Sequence, residues 1–223
     1  MPYRKFPIVE GEIYHVFNRS AAGVPMFKQR KDYERAIQLV KYYRHRDLPL
    51  RFSLYSRMSK ENKQVYEETI LAKRRHCVEI LAFCIMPNHV HFLLRPVCDG
   101  GISLFMTNLQ HSYSKYFNTK YQRYGGLFQA MFKAVRIESE EQLLHVSRYI
   151  HLNPVTAYII TPKELDAYPW SSFGEYIENS EETLIHKAPI MNSFSSPEAY
   201  RSFVMDQVDY QRELHKIRHL CLE

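Results

Sequence analysis

The sequence has 223 residues, of which 45% are hydrophobic, so it is long enough and apolar enough for one ordinary globular domain with an appendage. Its 30 Lys and Arg against 24 Asp and Glu give a formal charge of +6, which favours a polyanionic partner without requiring one. No apolar run approaches the roughly 20 residues that cross a bilayer, so no membrane partner is expected.

The four cysteines form no CxxC pair, and the N-terminal residues lead into no long apolar segment of the kind that directs secretion. This pattern is typical of free thiols in a reducing compartment. We therefore predict a cytoplasmic protein.

The first third of the chain alternates between strand and helix patterns. Residues 12–18 alternate polar and apolar side chains, which predicts a first strand. Apolar residues recur at helical spacing from Asp32 to about Arg46, which predicts the first helix. Residues 48–76 are interpreted as a surface excursion, with a strand-like segment at 50–55 and a polar helix after it.

Two histidines lie at the start of a predicted strand. Residues 78–85 are dense in β-formers and Pro87-Asn88 is a turn signal, so the stretch from 78 to 94 is typical of a hairpin. Side chains alternate across a strand, so His89 and His91 share one face while Val90 faces the other way. Such a pair can hold a metal ion, but it can also be a pair of surface or core histidines.

The second half adds helices and one more strand. Residues 102–120 show strong helical periodicity, 127–135 form a predicted strand, and a capping-box signal starts a helix over 140–152. The element order predicts an α+β fold: a ferredoxin-like, RRM-like split βαβ sandwich with an antiparallel sheet, an extra helix and a C-terminal helical tail. The tail begins after residue 177, and its last helix opens at Ser196-Pro197-Glu198.

The helix over 140–152 carries a second set of candidate residues. Tyr149 and Asn153 stand four positions apart, so they project from a common face, and His145 shares that stripe. Pro154 disfavours helical geometry for the preceding residue, so Asn153 is expected at the frayed helix end. Taken singly, each of these residues is an ordinary packing or turn residue, and the functional hypothesis depends on their combination.

Combined, these groups suggest phosphodiester chemistry. Two imidazoles and an amide oxygen make an open site for Mg²⁺ or Mn²⁺ more readily than a closed structural zinc site. Such an ion can polarise a phosphodiester oxygen, and Tyr149 would be the nucleophile. A covalent phosphotyrosine keeps the energy of the broken bond, which agrees with the absence of a GxxxxGK[ST] nucleotide-binding motif.

The chain resembles the single-tyrosine HUH transposases, in particular the REP-associated tyrosine transposases. The matching motifs occur in family order between residues 12 and 176: YHVFNRS at 14–20 with Gly23 and Phe27, Asp32-Tyr33, MPNHVHF at 86–92, GLFQ at 126–129, Phe132-Lys133, YIHLNPV at 149–155 and YPWSS at 168–172.

The resemblance implies roles for individual residues. His89 and His91 would be metal ligands with Asn153 as the third, and Tyr149 would be the nucleophile. The substrate would be single-stranded DNA beside REP-like hairpins. The enzyme would cleave it to a 5′-phosphotyrosine and a free 3′-OH and would rejoin it by the reverse reaction. It would act at the nucleoid as a monomer or homodimer. Candidates for further DNA contacts are Asn18, Arg19, Lys133 and Arg136.

The resemblance also implies a domain organisation. Residues 1–177 would form the HUH transposase catalytic domain, with 48–76 as an insertion longer than is usual in the family, and 178–223 a C-terminal helical extension. Many relatives carry Gly-Arg where this chain has Ala130-Met131, so one DNA contact of the family is in question.

Of two other kinds of protein, the sequence argues against the first and leaves the second open. A histidine-triad hydrolase would need a third histidine two residues after His91, where Leu93 stands. A catalytically silent regulator, derived from a transposase and binding DNA hairpins without turnover, would have the same fold. The sequence also leaves open whether Tyr149 acts with the histidines of its own chain or with those of a partner chain.

Overall fold

A computed structural model describes residues 7–73, 75–178 and 184–212. The strands are β1 (Tyr14–Arg19), β2 (Val78–Met86), β3 (His89–Pro96) and β4 (Lys133–Arg136). The helices are α1 (Arg30–Tyr43), α2 (Phe52–Tyr55), α3 (Lys60–Tyr66), α4 (Gly101–Lys120), α5 (Glu140–Thr156), α6 (Phe173–Ile177), α7 (Ala188–Met191) and α8 (Pro197–Met205). A π-helical turn follows α3 at Glu67–Leu71, and a 3₁₀ turn spans Pro162–Glu164. In the part of the chain described, no helix combines the length and apolar character needed to cross a bilayer.

The four strands form one sheet in the order β2-β3-β1-β4. This is the order of a split βαβ fold, because β3 lies between β1 and β2 although β2 follows β1 along the chain. β1 and β4 are antiparallel, with Phe17 opposite Lys133 and Tyr14 opposite Arg136. The predicted α+β class with an antiparallel sheet is confirmed.

One strand prediction is wrong, and a second is confirmed only at its C-terminal end. Residues 52–55 form helix α2. In the helix, Phe52 turns inward, contacts the ring of Tyr42 and is only 4% exposed, and an exposed edge strand would not bury this ring. Residues 127–132 form no strand beyond an isolated bridge between Ser20 and Phe128. Three consecutive exposed residues, 129–131, break the alternation of buried and exposed side chains there, so β4 begins only at Lys133.

Helix α5 is longer than expected. It continues through Pro154 to Thr156, so Asn153 is not frayed but helical and 7% exposed. Pro154 stands near the C-terminal end, where its missing N–H removes a single internal hydrogen bond. Burial of Leu152 and Val155, both 0% exposed, outweighs this loss and the local preference against a helix before proline.

By its internal contacts the chain divides into two compact units: the described residues within 1–12, 18–79 and 95–132, and those within 13–17, 80–94 and 133–223. The described part of the predicted C-terminal extension belongs to the second unit. The organisation into a catalytic domain at 1–177, an insertion at 48–76 and an extension at 178–223 stays a prediction.

In the first unit, α1 packs against α4. Residues of the predicted insertion contact α1 through an aromatic cluster: the ring of Tyr42 stacks on Tyr55 at 4.8 Å between centroids and meets Phe52 edge-on at 5.3 Å. The Tyr42 hydroxyl donates to the Leu50 carbonyl at 2.7 Å and lies 3.2 Å from the hydroxyl of Tyr66. These contacts attach residues 50–66 to the helix, so this segment is more than a surface excursion.

A buried carboxylate links the start of α1 to the end of α4. Asp32 is 0% exposed, and its oxygens accept hydrogen bonds from Lys120, Tyr116 and Tyr121 at 2.6, 2.9 and 2.7 Å. The same carboxylate accepts the backbone N–H groups of residues 28 and 29, both at 3.0 Å, which closes the capping box at Gln29. Burial alone would raise the pKa of Asp32, but the hydrogen bonds, that from Lys120 foremost, outweigh it and lower the pKa.

In the second unit, an extended segment covers the outer edge of β2. The N–H of Ile85 donates to the Trp170 carbonyl at 2.8 Å, and the N–H of Ser172 donates to the Phe83 carbonyl at 3.0 Å, on either side of a bridge between Cys84 and Ser171. An open strand edge invites pairing with another chain, so this cover satisfies the edge internally. Helices α6 and α5 both contact α8.

Replacement of Asp32 by Asn should destabilise the protein, because Lys120 would lose its anionic partner and one buried oxygen would become a donor. We expect a loss of roughly 2–4 kcal/mol in the free energy of unfolding, measured by urea denaturation at neutral pH. Since the folded-state pKa is lowered, the contribution of Asp32 is present above the unfolded-state pKa and is lost as the pH falls through the folded-state value.

The matched control is Glu34→Gln on the same helix. Glu34 pairs with Arg30 at 2.8 Å, but their side chains are 43% and 83% exposed, so this pair should contribute less than about 0.5 kcal/mol. Equal losses for the two variants would show that the buried position of Asp32 has no special effect.

Candidate active site

The two histidines of β3 lie together on one face of the strand, as the alternation predicts. The ring centroids of His89 and His91 are 4.8 Å apart and the rings are nearly perpendicular, at 87°. His91 is 2% exposed, while His89 is half-buried at the end of the strand. One imidazole is therefore held within the protein and the other is partly exposed.

The turn before β3 orients His89. Nδ1 of His89 lies 2.6 Å from Oδ1 of Asn88, which is an acceptor and has no proton to give. Nδ1 must therefore carry the proton and donate it. In the neutral form of the ring, Nε2 then keeps its lone pair, which is the form a metal ligand needs.

A third histidine, His15 on β1, lies beside His91. Its Nε2 atom is 2.9 Å from Nδ1 of His91, and the two rings are stacked with centroids 5.1 Å apart. Phe17, two residues further along the same face of β1, contacts both rings at 5.0 and 5.7 Å. Sequence reasoning missed His15 and Phe17 as site residues, although strand alternation and a β1 position beside β3 together would have identified them.

Helix α5 brings Tyr149 to these histidines. The ring centroid of Tyr149 lies 5.6 Å from that of His91 and 5.9 Å from that of His15, edge-on in both cases at 87° and 76°. Tyr149 is half-buried. The phenol and both imidazoles belong to one chain, so a single copy assembles this part of the site.

Asn153 follows one turn later on α5. Its Nδ2 atom donates to the backbone carbonyl of Tyr149 at 2.9 Å, and its side chain is buried. This bond fixes the amide, so the nitrogen end faces the helix backbone and Oδ1 is the end available as a ligand. His145, one turn before Tyr149, stays outside the site: it is exposed and bonds Arg148 at 2.6 Å.

A buried hydrogen-bond network fixes the opposite side of α5. Nδ1 of His151 lies 2.7 Å from the Tyr200 hydroxyl of α8, and Nε2 lies 2.8 Å from the Ser172 hydroxyl. The Tyr200 hydroxyl donates onward to Ser147 at 3.2 Å, and the Ser172 oxygen accepts the N–H of Phe83 in β2 at 2.9 Å. His151 is 0% exposed, and its burial lowers its pKa to about 3, so it is neutral. The network ties α5 to α8 and to the sheet, two residues from both Tyr149 and Asn153.

The four candidates for further DNA contacts have different environments. Arg19, Lys133 and Arg136 are exposed, whereas Asn18 is 2% exposed. The Asn18 amide is bonded at both ends, donating to the Gln129 carbonyl at 3.2 Å and accepting the N–H of Arg19 at 2.9 Å. Its local role is to fix the loop, and its contact with DNA stays a prediction.

Cross-strand pairing places two of these candidates on opposite faces of the sheet. Directly paired residues share a face, so Lys133 stands on the face of Phe17, and its Nζ atom is 6.0 Å from the Phe17 ring centroid. Arg136 pairs with Tyr14 and therefore faces the other way. Of the two, Lys133 is the cation on the face that carries His15.

The predicted ligands are the imidazoles of His89 and His91 and the amide oxygen of Asn153. Donors of these types suit a hard or borderline divalent ion in an open site, and their role as ligands stays a prediction. Among the described residues, no group of three or more His, Cys, Asp and Glu side chains is arranged to hold a metal ion.

Comparison with known proteins gives two matches. The model of the family of IS200-like transposases matches residues 51–153, a range that contains His89, His91, Tyr149 and Asn153. A solved structure of a REP-associated tyrosine transposase bound to a REP hairpin superposes with a TM-score of 0.54 at 17% identity, over 88% of this chain and 96% of that one. No curated protein matches the sequence. The match to the family model confirms the predicted resemblance to the single-tyrosine transposases in sequence. The match to the solved structure confirms the predicted fold.

The neutral state of His151 predicts loss of stability in acid. The folded-state pKa of about 3 lies below the ordinary imidazole value of 6.5, so the unfolded chain binds a proton that the folded protein excludes. Stability should fall as the pH drops below the ordinary value, by about 2 kcal/mol near pH 5, as measured by urea denaturation across pH.

The variant His151→Gln should flatten this pH dependence, even though it lowers stability at neutral pH. His111→Gln, which changes an exposed histidine of α4, is the control and should leave the slope unchanged. An unaltered slope in His151→Gln would contradict a neutral buried imidazole at this position.

Proposed function

We propose that this protein, whose residues 51–153 match the IS200-like transposases, cleaves and rejoins single-stranded DNA beside hairpins through a covalent phosphotyrosine. The observation that carries the proposal is the approach of Tyr149 to the β3 histidines within one chain, with 5.6 Å between the ring centroids of Tyr149 and His91. A tyrosine, two imidazoles and an amide on rigid elements match the needs of phosphoryl transfer, in which positioning and charge stabilisation dominate.

In the cleavage step, the Tyr149 oxygen attacks the phosphorus of the scissile phosphodiester. The bond between phosphorus and the 3′ oxygen breaks, and the phenol proton is transferred overall to that 3′ oxygen. The products are a 5′-phosphotyrosine and a free 3′-OH, and reversal with another 3′-OH rejoins the strand. No external energy source is needed, because one ester bond replaces another.

The residues that would hold the divalent ion are His89 and His91, through their Nε2 atoms, and Asn153, through Oδ1. Mg²⁺ or Mn²⁺ bound there would supply charge stabilisation at the phosphate oxygens. The protein itself orients these ligands: Asn88 fixes the ring of His89, and the bond from Asn153 to the Tyr149 carbonyl couples the amide to the nucleophile's own helix turn.

The proposed catalysis occurs in cis, since His91 and Tyr149 meet in one chain. A monomer is then sufficient for cleavage, and a homodimer would serve strand exchange between two ends. Because the substrate is exposed single-stranded chromosomal DNA, we propose that the protein works at the nucleoid in the cytoplasm.

The substrate proposal is single-stranded DNA with a hairpin resembling REP repeats. Its supports are the positive charge of the chain and the structural likeness to a transposase that was solved with a REP hairpin. The site face of the sheet is the face that carries His15 and Phe17. On it, Phe17 offers a half-buried ring for base stacking, and Lys133 beside it offers a cation for a phosphate. We propose that the strand leading to Tyr149 crosses this face.

Incubation with a single-stranded oligonucleotide that contains a hairpin from the DNA flanking the coding region should, in Mg²⁺ or Mn²⁺, give an SDS-resistant protein–DNA adduct. Tyr149→Phe should form no detectable adduct but should still bind the hairpin, because the substitution removes only the attacking oxygen. Removal of the divalent ion should also abolish the adduct and leave binding.

The matched control is Tyr124→Phe, which removes the hydroxyl of a tyrosine that is 96% exposed, and it should form the adduct at the wild-type level. An adduct in Tyr149→Phe would mean that another residue is the nucleophile. Hairpin binding without an adduct in the wild type would identify the protein as a catalytically silent DNA-binding regulator.

Lys133→Ala should weaken binding of a short unstructured oligonucleotide and should reduce the slope of log affinity against log salt by about 0.7, the value for one phosphate contact on a single strand. Fluorescence anisotropy over a salt series measures both quantities. Arg136→Ala removes the same charge from the same strand on the opposite face, and should reduce the slope by less than Lys133→Ala does. Equal effects of the two variants would mean that the strand does not follow the site face.

A further inference from the structure

We infer that His15 is a positioning residue for the metal site, which fixes the proton of His91 on Nδ1 and so leaves Nε2 of His91 as the ligand atom. The inference rests on the proposed function, in which His91 binds a divalent ion. Its structural basis is the 2.9 Å contact between Nε2 of His15 and Nδ1 of His91.

A hydrogen bond between two neutral imidazoles needs one donor and one acceptor, so it exists in two forms. If His15 donates from Nε2, then Nδ1 of His91 is the acceptor and Nε2 of His91 carries the proton, which prevents metal binding at that atom. If His91 donates from Nδ1, then Nε2 of His91 has its lone pair and His15 carries its own proton on Nδ1. Only the second form is compatible with a ligand at Nε2.

The neighbouring ligand has the same arrangement. His89 directs Nδ1 to Oδ1 of Asn88 at 2.6 Å, and this oxygen can only accept. Both histidines of β3 thus direct their Nδ1 atoms to a neighbouring polar atom, and Nε2 is the other nitrogen of each ring. His15 performs for His91 the task that Asn88 performs for His89.

The position of His15 suits this role. It lies on β1, the strand between β3 and β4, so its backbone is fixed on both sides by the sheet. Its ring stacks at 21° on that of His91 and is contacted by Phe17 at 5.0 Å, which limits its rotation. Partners of this kind that orient a ligand are typically worth 10–100-fold in metal affinity.

The test uses two variants of the full-length protein that separate packing from hydrogen bonding. His15→Phe keeps a flat ring in contact with Phe17 and His91 but has no acceptor. His15→Gln loses the ring but places an amide oxygen near the position of Nε2. Isothermal titration calorimetry with Mn²⁺ alone measures the metal affinity of each variant. We expect about 10–100-fold weaker binding for His15→Phe and near wild-type binding for His15→Gln.

A second measurement needs no metal. Long-range ¹H–¹⁵N NMR spectra of the metal-free protein, at a pH where imidazoles are neutral, distinguish the two ring nitrogens of each histidine. We expect His91 protonated on Nδ1 in the wild type and in His15→Gln, and a shift of the proton towards Nε2 in His15→Phe.

The outcomes separate the inference from the proposed function. Absence of Mn²⁺ binding by the wild type would overturn the metal role of the site, while the NMR spectra would still decide the proton position. Wild-type Mn²⁺ affinity in His15→Phe, equally weak binding in His15→Gln, or a wild-type His91 protonated on Nε2 would each overturn the positioning role of His15.

Discussion

The placement of β1 between β3 and β4 is the constraint on which the candidate site depends. Antiparallel pairing puts directly opposed residues on the same face, so one register places His15 near His91 and Phe17 opposite Lys133. A slip of one residue would turn all of these side chains to the other face. The buried residues between them, such as Val16 at 0% exposure, hold the register because a slip would expose them.

Helix α5 completes the site because two different kinds of contact hold its two sides. Towards the sheet, Tyr149 meets the rings of His15 and His91. On the other side, His151 bonds Tyr200 and Ser172 in a network without solvent exposure. Buried polar groups must be paired, so this network permits one orientation of the helix rather than a range of them. The described part of the helical tail thereby acts on the site through α8, although none of its described residues belongs to the site.

The histidines show how a site is prepared before substrate arrives. An isolated imidazole exchanges its proton between two nitrogens, and only one of the two forms can bind a metal at a given atom. The neighbours of His89 and His91 act on this choice from a turn and from a separate strand. The candidate site is consequently more extended than the histidine motif of β3, since His15 lies 76 positions before His91 in the chain.

The sequence determined the fold class and much of the site. Alternation placed His89 and His91 on one face of a strand, helical spacing placed Tyr149 and Asn153 on one face of a helix, and the element order predicted the split βαβ arrangement with an antiparallel sheet. These are properties of local periodicity, which a few neighbouring residues settle. Short segments with weak patterns were mistaken: residues 50–55 and 127–132 have strand-like composition, but burial of Phe52 and loss of alternation at 129–131 override it.

Only the tertiary structure decided which distant residues meet. It kept Asn153 helical through Pro154, since burial of the flanking apolar residues outweighs the local preference against a helix there. It also brought His15 to His91 and His151 to Tyr200, pairs that no motif joins and that are separated by 76 and 49 positions. Hydrogen bonds and ring contacts depend on distances of a few ångströms, and such distances across the chain follow from strand register and helix packing rather than from spacing along the sequence.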